Sequence, residues 1–284
     1  MDWLHQLDIE KFLVFTLVLT RTSGLMATAP VYGTQDVPMT VRALLAMILA
    51  VLVMPTQWNA TLADPGTTLQ YLALLGSELV VGVCLGLGVT MLLAGVQMAG
   101  ELMSRLGGLS LSDVFDPTSN TNTPLFSRLL VLLTTVVLLG IGGHRVLLSG
   151  LLDTFQTIPP GSATAMLLGS TDAGGAATTL GTAPGLLSAV TNLLVLLVAE
   201  SFELAIRASV PVVTALLLAT LLLGLISRTL PQLNILILGF GLNAMLTFAV
   251  LSLSMGAIAL VFQAQVEPTF QTLFQAMGVP WRGM

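Results

Sequence analysis

Charge is scarce in this chain of 284 residues. Asp, Glu, Lys and Arg supply 8% of it, against roughly 25% in an average soluble domain. That is too little to coat a water-exposed surface, so a soluble globule is excluded. Lysine occurs once, as Lys11, and no basic cluster forms. A nucleic-acid partner and a polybasic segment for lipid headgroups are excluded with it. Cysteine also occurs once, as Cys84, which rules out an intrachain disulfide and fits a small buried hydrophobe. The histidines, His5 and His144, lie far apart, and neither gathers the ligands a metal would need. No nucleophile–base constellation, phosphate-cradling loop or cofactor motif is visible. No catalytic residue, metal or cofactor is therefore assigned.

What the chain does have is hydrocarbon: 55% hydrophobic residues and a mean hydropathy of +0.96. No period-two alternation of barrel type runs through it, so the fold class is an all-α integral membrane protein. Asp2, Asp8 and Glu10 open the chain without a positive n-region, so residues 11–29 read as a retained first helix, not a cleaved signal. Further apolar stretches cover 43–54, 69–104, 125–141, 186–206, 209–226 and 233–262. Their lengths are irregular. The run 43–54 falls short of the ~20 residues of a straight crossing, and 69–104 exceeds one crossing. This pattern suits irregular, kinked helices packed on other proteins. The segment 157–184, with Pro159-Pro160-Gly161, Gly174-Gly175 and Pro184, reads as a polar linker. The chain thus divides into an N-terminal part (1–156), a linker (157–185) and a C-terminal part (186–284). Arg105, Arg128, Arg145, Arg228 and Arg282 accumulate on neither side, so charge gives no orientation.

One polar stretch interrupts the apolar runs: Gly107-Gly108-Leu109-Ser-Leu111-Ser-Asp-Val114-Phe115-Asp116-Pro117, continuing through Thr-Ser-Asn-Thr-Asn-Thr to Pro124. Its backbone groups would lack partners next to hydrocarbon. It must lie outside the bilayer, be buried in protein, or line a wet cavity.

Charges inside apolar runs are costly and need a partner or water. Arg21 fits either an anchor for a partner subunit or a snorkelling or intrachain-paired cation. Glu78, Gly82 and Gly86 repeat every fourth residue, so they share one helix face, and the glycines permit close helix approach. A packing face with a paired carboxylate is the better reading of Glu78. A proton relay lacks a second titratable group one turn away. Glu203 and Arg207 are spaced for an intrahelical ion pair, with Glu200 one turn before.

The run Gly224-Leu-Ile-Ser-Arg228-Thr-Leu-Pro231-Gln232-Leu-Asn234-Ile-Leu-Ile-Leu-Gly239-Phe240 resembles the signature of the FliR/SctT family, export-gate proteins of flagellar and virulence type III secretion systems. Arg21 with Pro30 and Pro38, then Glu78 with Gly82 and Gly86, Asp116-Pro117, Gly142-Gly143-His144 and Pro211 agree with it in order. The resemblance spans nearly the whole chain. It departs at Gly241 and Asn243, where the family usually carries a proline and a lysine.

The resemblance implies one copy of this chain in a helical, closed-tipped gate with several FliP-type and FliQ-type subunits. Its N-terminal part would be FliP-like in shape, and its C-terminal helical hairpin FliQ-like. Arg21, Glu78, Gly82 and Gly86 would serve subunit packing. Arg228, Pro231, Gln232 and Asn234 would form the hairpin turn, facing the export proteins of FlhA and FlhB type. Gly107, Gly108, Leu109, Leu111, Val114, Phe115, Asp116 and Pro117 would plug the pore, with glycine freedom, apolar bulk and an Asp-Pro turn. Implied surroundings are membrane lipid, unfolded export substrates, the bacterial inner membrane and the flagellar basal body. The competing readings are a secondary transporter of a small solute, which would favour inverted repeats that this chain lacks, and the virulence version of the same gate.

Overall fold

A computed structural model of the chain describes residues 2–30, 32, 37–58, 66–108, 124–162, 186–229 and 235–281. Among these residues every regular element is a helix. In chain order they are α1 (Asp2–Thr28), α2 (Met39–Val53, extended by a 3-10 turn, Met54–Gln57), α3 (Thr68–Leu106), α4 (Leu125–Gly140), α5 (Gly143–Thr157), α6 (Leu186–Thr229) and α7 (Ile235–Ala276).

Proline sets two of the starts. Pro38 and Pro124 hold extended backbone angles immediately before α2 and α4, where the missing N–H costs nothing. Gly142 separates α4 from α5. It adopts φ +79°, a conformation a side chain disfavours.

The elements depart from the apolar runs at three places. The helix α5 was absent from the sequence reading because its residues alternate: buried Leu147, Leu151 and Phe155 share it with Arg145, Asp153 and Gln156. The runs 186–206 and 209–226 form one helix, α6, that passes through Pro211. The last run does not stop at 262 but continues through Pro268 to Ala276, where Phe270, Leu273 and Phe274 are buried.

Four helical stretches are long and apolar enough to cross a membrane: Met39–Gln57, Thr68–Leu106, Val190–Thr229 and Gly241–Ala276. The bent pair α4–α5 makes a fifth if counted as one span. Three of these overshoot. At ~1.5 Å per residue, the 39 residues of α3 reach about 58 Å, while the hydrocarbon core is ~30 Å thick. Even a 40° tilt leaves α3 about 45 Å along the membrane normal. The ends of α3, α6 and α7 therefore project beyond lipid or are shielded by protein.

The chain forms two compact units. The first comprises residues 1–90, 142–197 and 269–284, and the second 91–141 and 198–268. In the first, α1 packs on α2, with the Thr22 hydroxyl donating to the Ala46 carbonyl (3.3 Å), and Lys11 lies 3.8 Å over the Trp58 ring. The C-terminal end of α7 closes on Gly278 (φ +69°), with Val279 N–H donating back to Phe274 (2.8 Å) in a Schellman-type cap. That cap lets Trp281 stack on Phe270 and Phe274. In the second unit, Phe126 of α4 meets Phe248 of α7 edge to face at 4.9 Å.

Helix α3 is the most enclosed of the candidate spans. Its most apolar window is 61% buried, against 17% to 28% for the others. Glycine explains how it accepts so many neighbours. A Cβ at Gly82 would lie 3.0 Å from the Arg21 carbonyl carbon and 3.1 Å from the Leu25 nitrogen, both in α1. One at Gly95 would strike the Ser201 backbone of α6, and one at Gly100 would sit 2.6 Å from the Ser127 nitrogen of α4. These contacts are backbone to backbone and have no flexible side chain to yield.

Candidate functional site

The first unit holds a buried ion pair built from three separated segments. Arg21 projects from α1 and Glu78 from α3, and both are fully buried. Nε and Nη2 of Arg21 each approach Glu78 Oε2 to 2.6 Å. The remaining donors turn to the end of α5. Nη1 and Nη2 both donate to the Ile158 carbonyl at 3.1 Å, and Nη1 reaches the Thr154 hydroxyl at 3.4 Å. The Phe155 ring covers the guanidinium at 4.4 Å. The other carboxylate oxygen, Glu78 Oε1, accepts the Gly161 N–H at 2.8 Å.

Each element of this cluster has a local cause. Ile158 caps the C-terminal end of α5, where helix carbonyls lack intrahelical partners and the dipole favours a cation. Arg21 supplies both charge and donors, in the forked geometry only arginine offers. Pro159-Pro160 carries the chain to Gly161, whose φ of +88° turns its N–H onto the carboxylate. Gly82, one turn beyond Glu78, brings α1 close enough for the pair to form.

Sequence reasoning singled out Arg21 and Glu78 separately, and the structure joins them. Of the settings left open for Arg21, the intrachain pair is the one the chain forms. Gly82 and Gly86 are buried on the same face, against α1. These four residues pack within their own chain. Thr154, Phe155, Ile158 and Gly161 were not expected in the cluster. The last two lie in the segment read as linker, whose first residues, 157–162, are anchored to the fold. The rest of that segment lies outside the described residues.

The second unit holds the base of the central loop. Of the proposed plug residues, Gly107 and Gly108 are described, while Leu109, Leu111, Val114, Phe115, Asp116 and Pro117 lie outside the described residues. Gly107 N–H donates to Met103 (2.8 Å), and Gly108 leaves the helix at φ +78°. Gly107 sits against α7, where a Cβ would meet the Thr247 hydroxyl at 2.6 Å. The other end of the loop enters α4, and the Ser127 hydroxyl donates to the Gln97 carbonyl of α3 at 3.2 Å. Both ends of the loop thus leave one tightly packed base.

Two buried polar atoms in this unit, Ser104 Oγ and Asn243 Oδ1, have no partner among the described residues. Asn243 occupies the position where the resembled family usually has lysine, and it is only 9% exposed. Of the residues expected to form a hairpin turn, Arg228 is described in the last turn of α6, exposed and suitably placed for the helix dipole. Pro231, Gln232 and Asn234 lie outside the described residues. Glu203 and Arg207 pair at 2.5 Å as their spacing foretold, on an exposed face of α6. Among the described residues no group of three or more His, Cys, Asp or Glu could hold a metal ion.

The comparisons with known proteins agree on one lineage. The family model described as "Bacterial export proteins, family 1" matches residues 12–269. A flagellar biosynthetic protein FliR of Bacillus subtilis is 30% identical over 273 residues, covering 93% of this chain and 95% of the relative. The FliR of Escherichia coli is 30% identical over 261 residues, 91% of this chain and 88% of the relative. The secretion system apparatus protein SsaT of Salmonella typhimurium is 26% identical over 192 residues, 66% of this chain and 65% of the relative. With a family model covering most of its length and full-length relatives at this identity, the chain belongs to the bacterial export proteins of family 1.

Proposed function

We propose that this chain is a subunit of the type III protein export gate, of the flagellar FliR kind, in the bacterial inner membrane at the flagellar basal body. The observation that carries the reading is end-to-end kinship with flagellar FliR proteins, through α1 to α7, at 30% identity. The gate passes unfolded flagellar proteins out of the cytoplasm. The chain acts by forming a path, not by catalysis, and draws on export proteins of FlhA and FlhB type for energy.

Physical features support this reading. Helices that outrun the hydrocarbon core suit an assembly that stands partly clear of it. The outward apolar residues of α2, α6 and α7, such as Leu52, Leu221 and Leu253, need covering. FliP-type and FliQ-type subunits would supply that cover, with the α6–α7 hairpin in a FliQ-like role turning at Arg228, Pro231, Gln232 and Asn234. The division into 1–156, 157–185 and 186–284 follows the same partition. Gly107 and Ser127, on either side of the stretch given the plug role, are held tightly against α7 and α3, a fit footing for a plug whose apolar residues exclude water.

Co-purification tests the proposal. Tagged chain expressed with its neighbours should emerge in single copy with two further hydrophobic proteins of FliP and FliQ type. Recovery alone or as a homo-oligomer would overturn it and favour a solute transporter.

A further inference from the structure

We propose that the groove between α4 and α7 in the second unit holds one anionic phospholipid, its phosphate on Arg128 and an acyl chain along the groove. The groove is lined by Leu125, Leu129, Leu132 and Val136 of α4 and by Met255 of α7, with Arg128 as its one charged residue. It offers about 430 Å³. An apolar cavity of ~150 Å³ admits a benzene ring, so this volume accommodates a hydrocarbon tail and not merely a water. Apart from Arg128 the wall is hydrocarbon, and Leu125, Leu132 and Val136 are each more than half exposed.

The polarity of the groove runs one way. Arg128 stands in the first turn of α4, with Leu125 as the one lining residue before it, and Leu129, Leu132, Leu133 and Val136 follow it along the helix. A cation at the mouth with an apolar run behind it matches a lipid, which carries its phosphate at one end and methylenes at the other. A partner helix would have to bring a carboxylate to Arg128 as well as apolar side chains to the groove, whereas one phospholipid carries both. Arg128 is exposed, and no ion pair or side-chain hydrogen bond engages it among the described residues. Guanidinium suits phosphate because its planar donors match two phosphate oxygens at once. α4 also belongs to a bent pair apolar enough to cross the bilayer, which brings the groove into reach of lipid.

The test uses the assembled membrane complex, extracted gently from membranes that contain phosphatidylglycerol and phosphatidylethanolamine. Retained lipid is measured by mass spectrometry. Arg128→Gln should lower retained phosphatidylglycerol about fivefold, the share one arginine contributes near a membrane surface, with phosphatidylethanolamine unchanged. Leu132→Trp, which fills the groove from an exposed position, should lower it as well. A photo-crosslinking residue at Leu132 should yield a lipid adduct. Equal phosphatidylglycerol in wild type and Arg128→Gln would overturn the proposal, and so would a crosslink from Leu132 to a partner subunit.

Discussion

Removing Glu78 should do more damage than any other single truncation in the first unit. In Glu78→Ala, Arg21 keeps its bonds to Ile158 and Thr154 but loses the one counter-ion it has among the described residues, at a site with no solvent exposure. Gly161 N–H loses its acceptor at the same time. Breaking a buried pair from one side costs about 3–5 kcal/mol. Set against a typical total of about 5–15 kcal/mol, that is a large fraction of the stability. For a chain of this size it corresponds to a fall of about 6–20 °C in Tm. The assay is thermal unfolding of the purified complex in detergent, read alongside hydrogen exchange at Gly161, whose amide should lose protection. A double change, Arg21→Met with Glu78→Leu, removes both charges and should restore most of the loss, because two apolar side chains leave no orphan. A Tm change under about 2 °C for Glu78→Ala would refute the reasoning. So would a double variant whose loss equals the sum of the two single losses.

Three further outcomes are expected. Gly82→Val should prevent stable assembly, since its side chain would enter the α1 backbone, whereas Gly76→Ala, with nothing within 4 Å, should be neutral or stabilising by up to about 1 kcal/mol; yield and Tm of the complex report both. Deleting residues 110–115 should raise ion leakage through the assembled gate in a liposome flux assay, and unchanged permeability would remove the plug. Arg228→Ala should reduce secretion more than Arg282→Ala, and equal, negligible effects would remove the reason to stress the hairpin turn.

The membrane class and the major apolar helices were legible because hydrocarbon leaves its mark on composition. Helix α5 was not, because only one of its faces is apolar, and a search for unbroken apolar runs passes over Leu147, Leu151 and Phe155. The end of α7 was hidden for a related reason: Gln263, Gln265, Glu267 and Pro268 look like a helix leaving the bilayer, although the helix goes on. Pro211 suggested a boundary inside α6. In a helix of 44 residues, one missing N–H does not end the hydrogen-bond ladder. In the candidate site, Arg21 and Glu78 stood out because charge in apolar surroundings always needs an answer. Their pairing across 57 positions could not be read, since nothing local distinguishes Glu78 from Glu101 or Glu200 as the answer to Arg21. Ile158 contributes through its carbonyl, which every residue has, so its side chain gave no signal. Gly161 gave a faint one, as the glycine closing a Pro-Pro-Gly turn.

The three-segment ion pair also has a consequence for how the chain is made. Ribosomes extend a chain at ~5–20 residues per second, so Glu78 follows Arg21 by about 3–11 s and Gly161 follows Glu78 by about 4–17 s. Through the first interval Arg21 has no carboxylate, and α1 is not among the helices apolar enough to cross unaided. The nascent α1 can therefore wait at the bilayer surface, its guanidinium hydrated, until α3 arrives with the matching charge. The pair then enters together, and the last donor and acceptor are satisfied only when α5 and the Pro-Pro-Gly turn have been translated. Completion of this ion pair is thus timed by its slowest arrival, a short polar turn more than half the chain's length from the start.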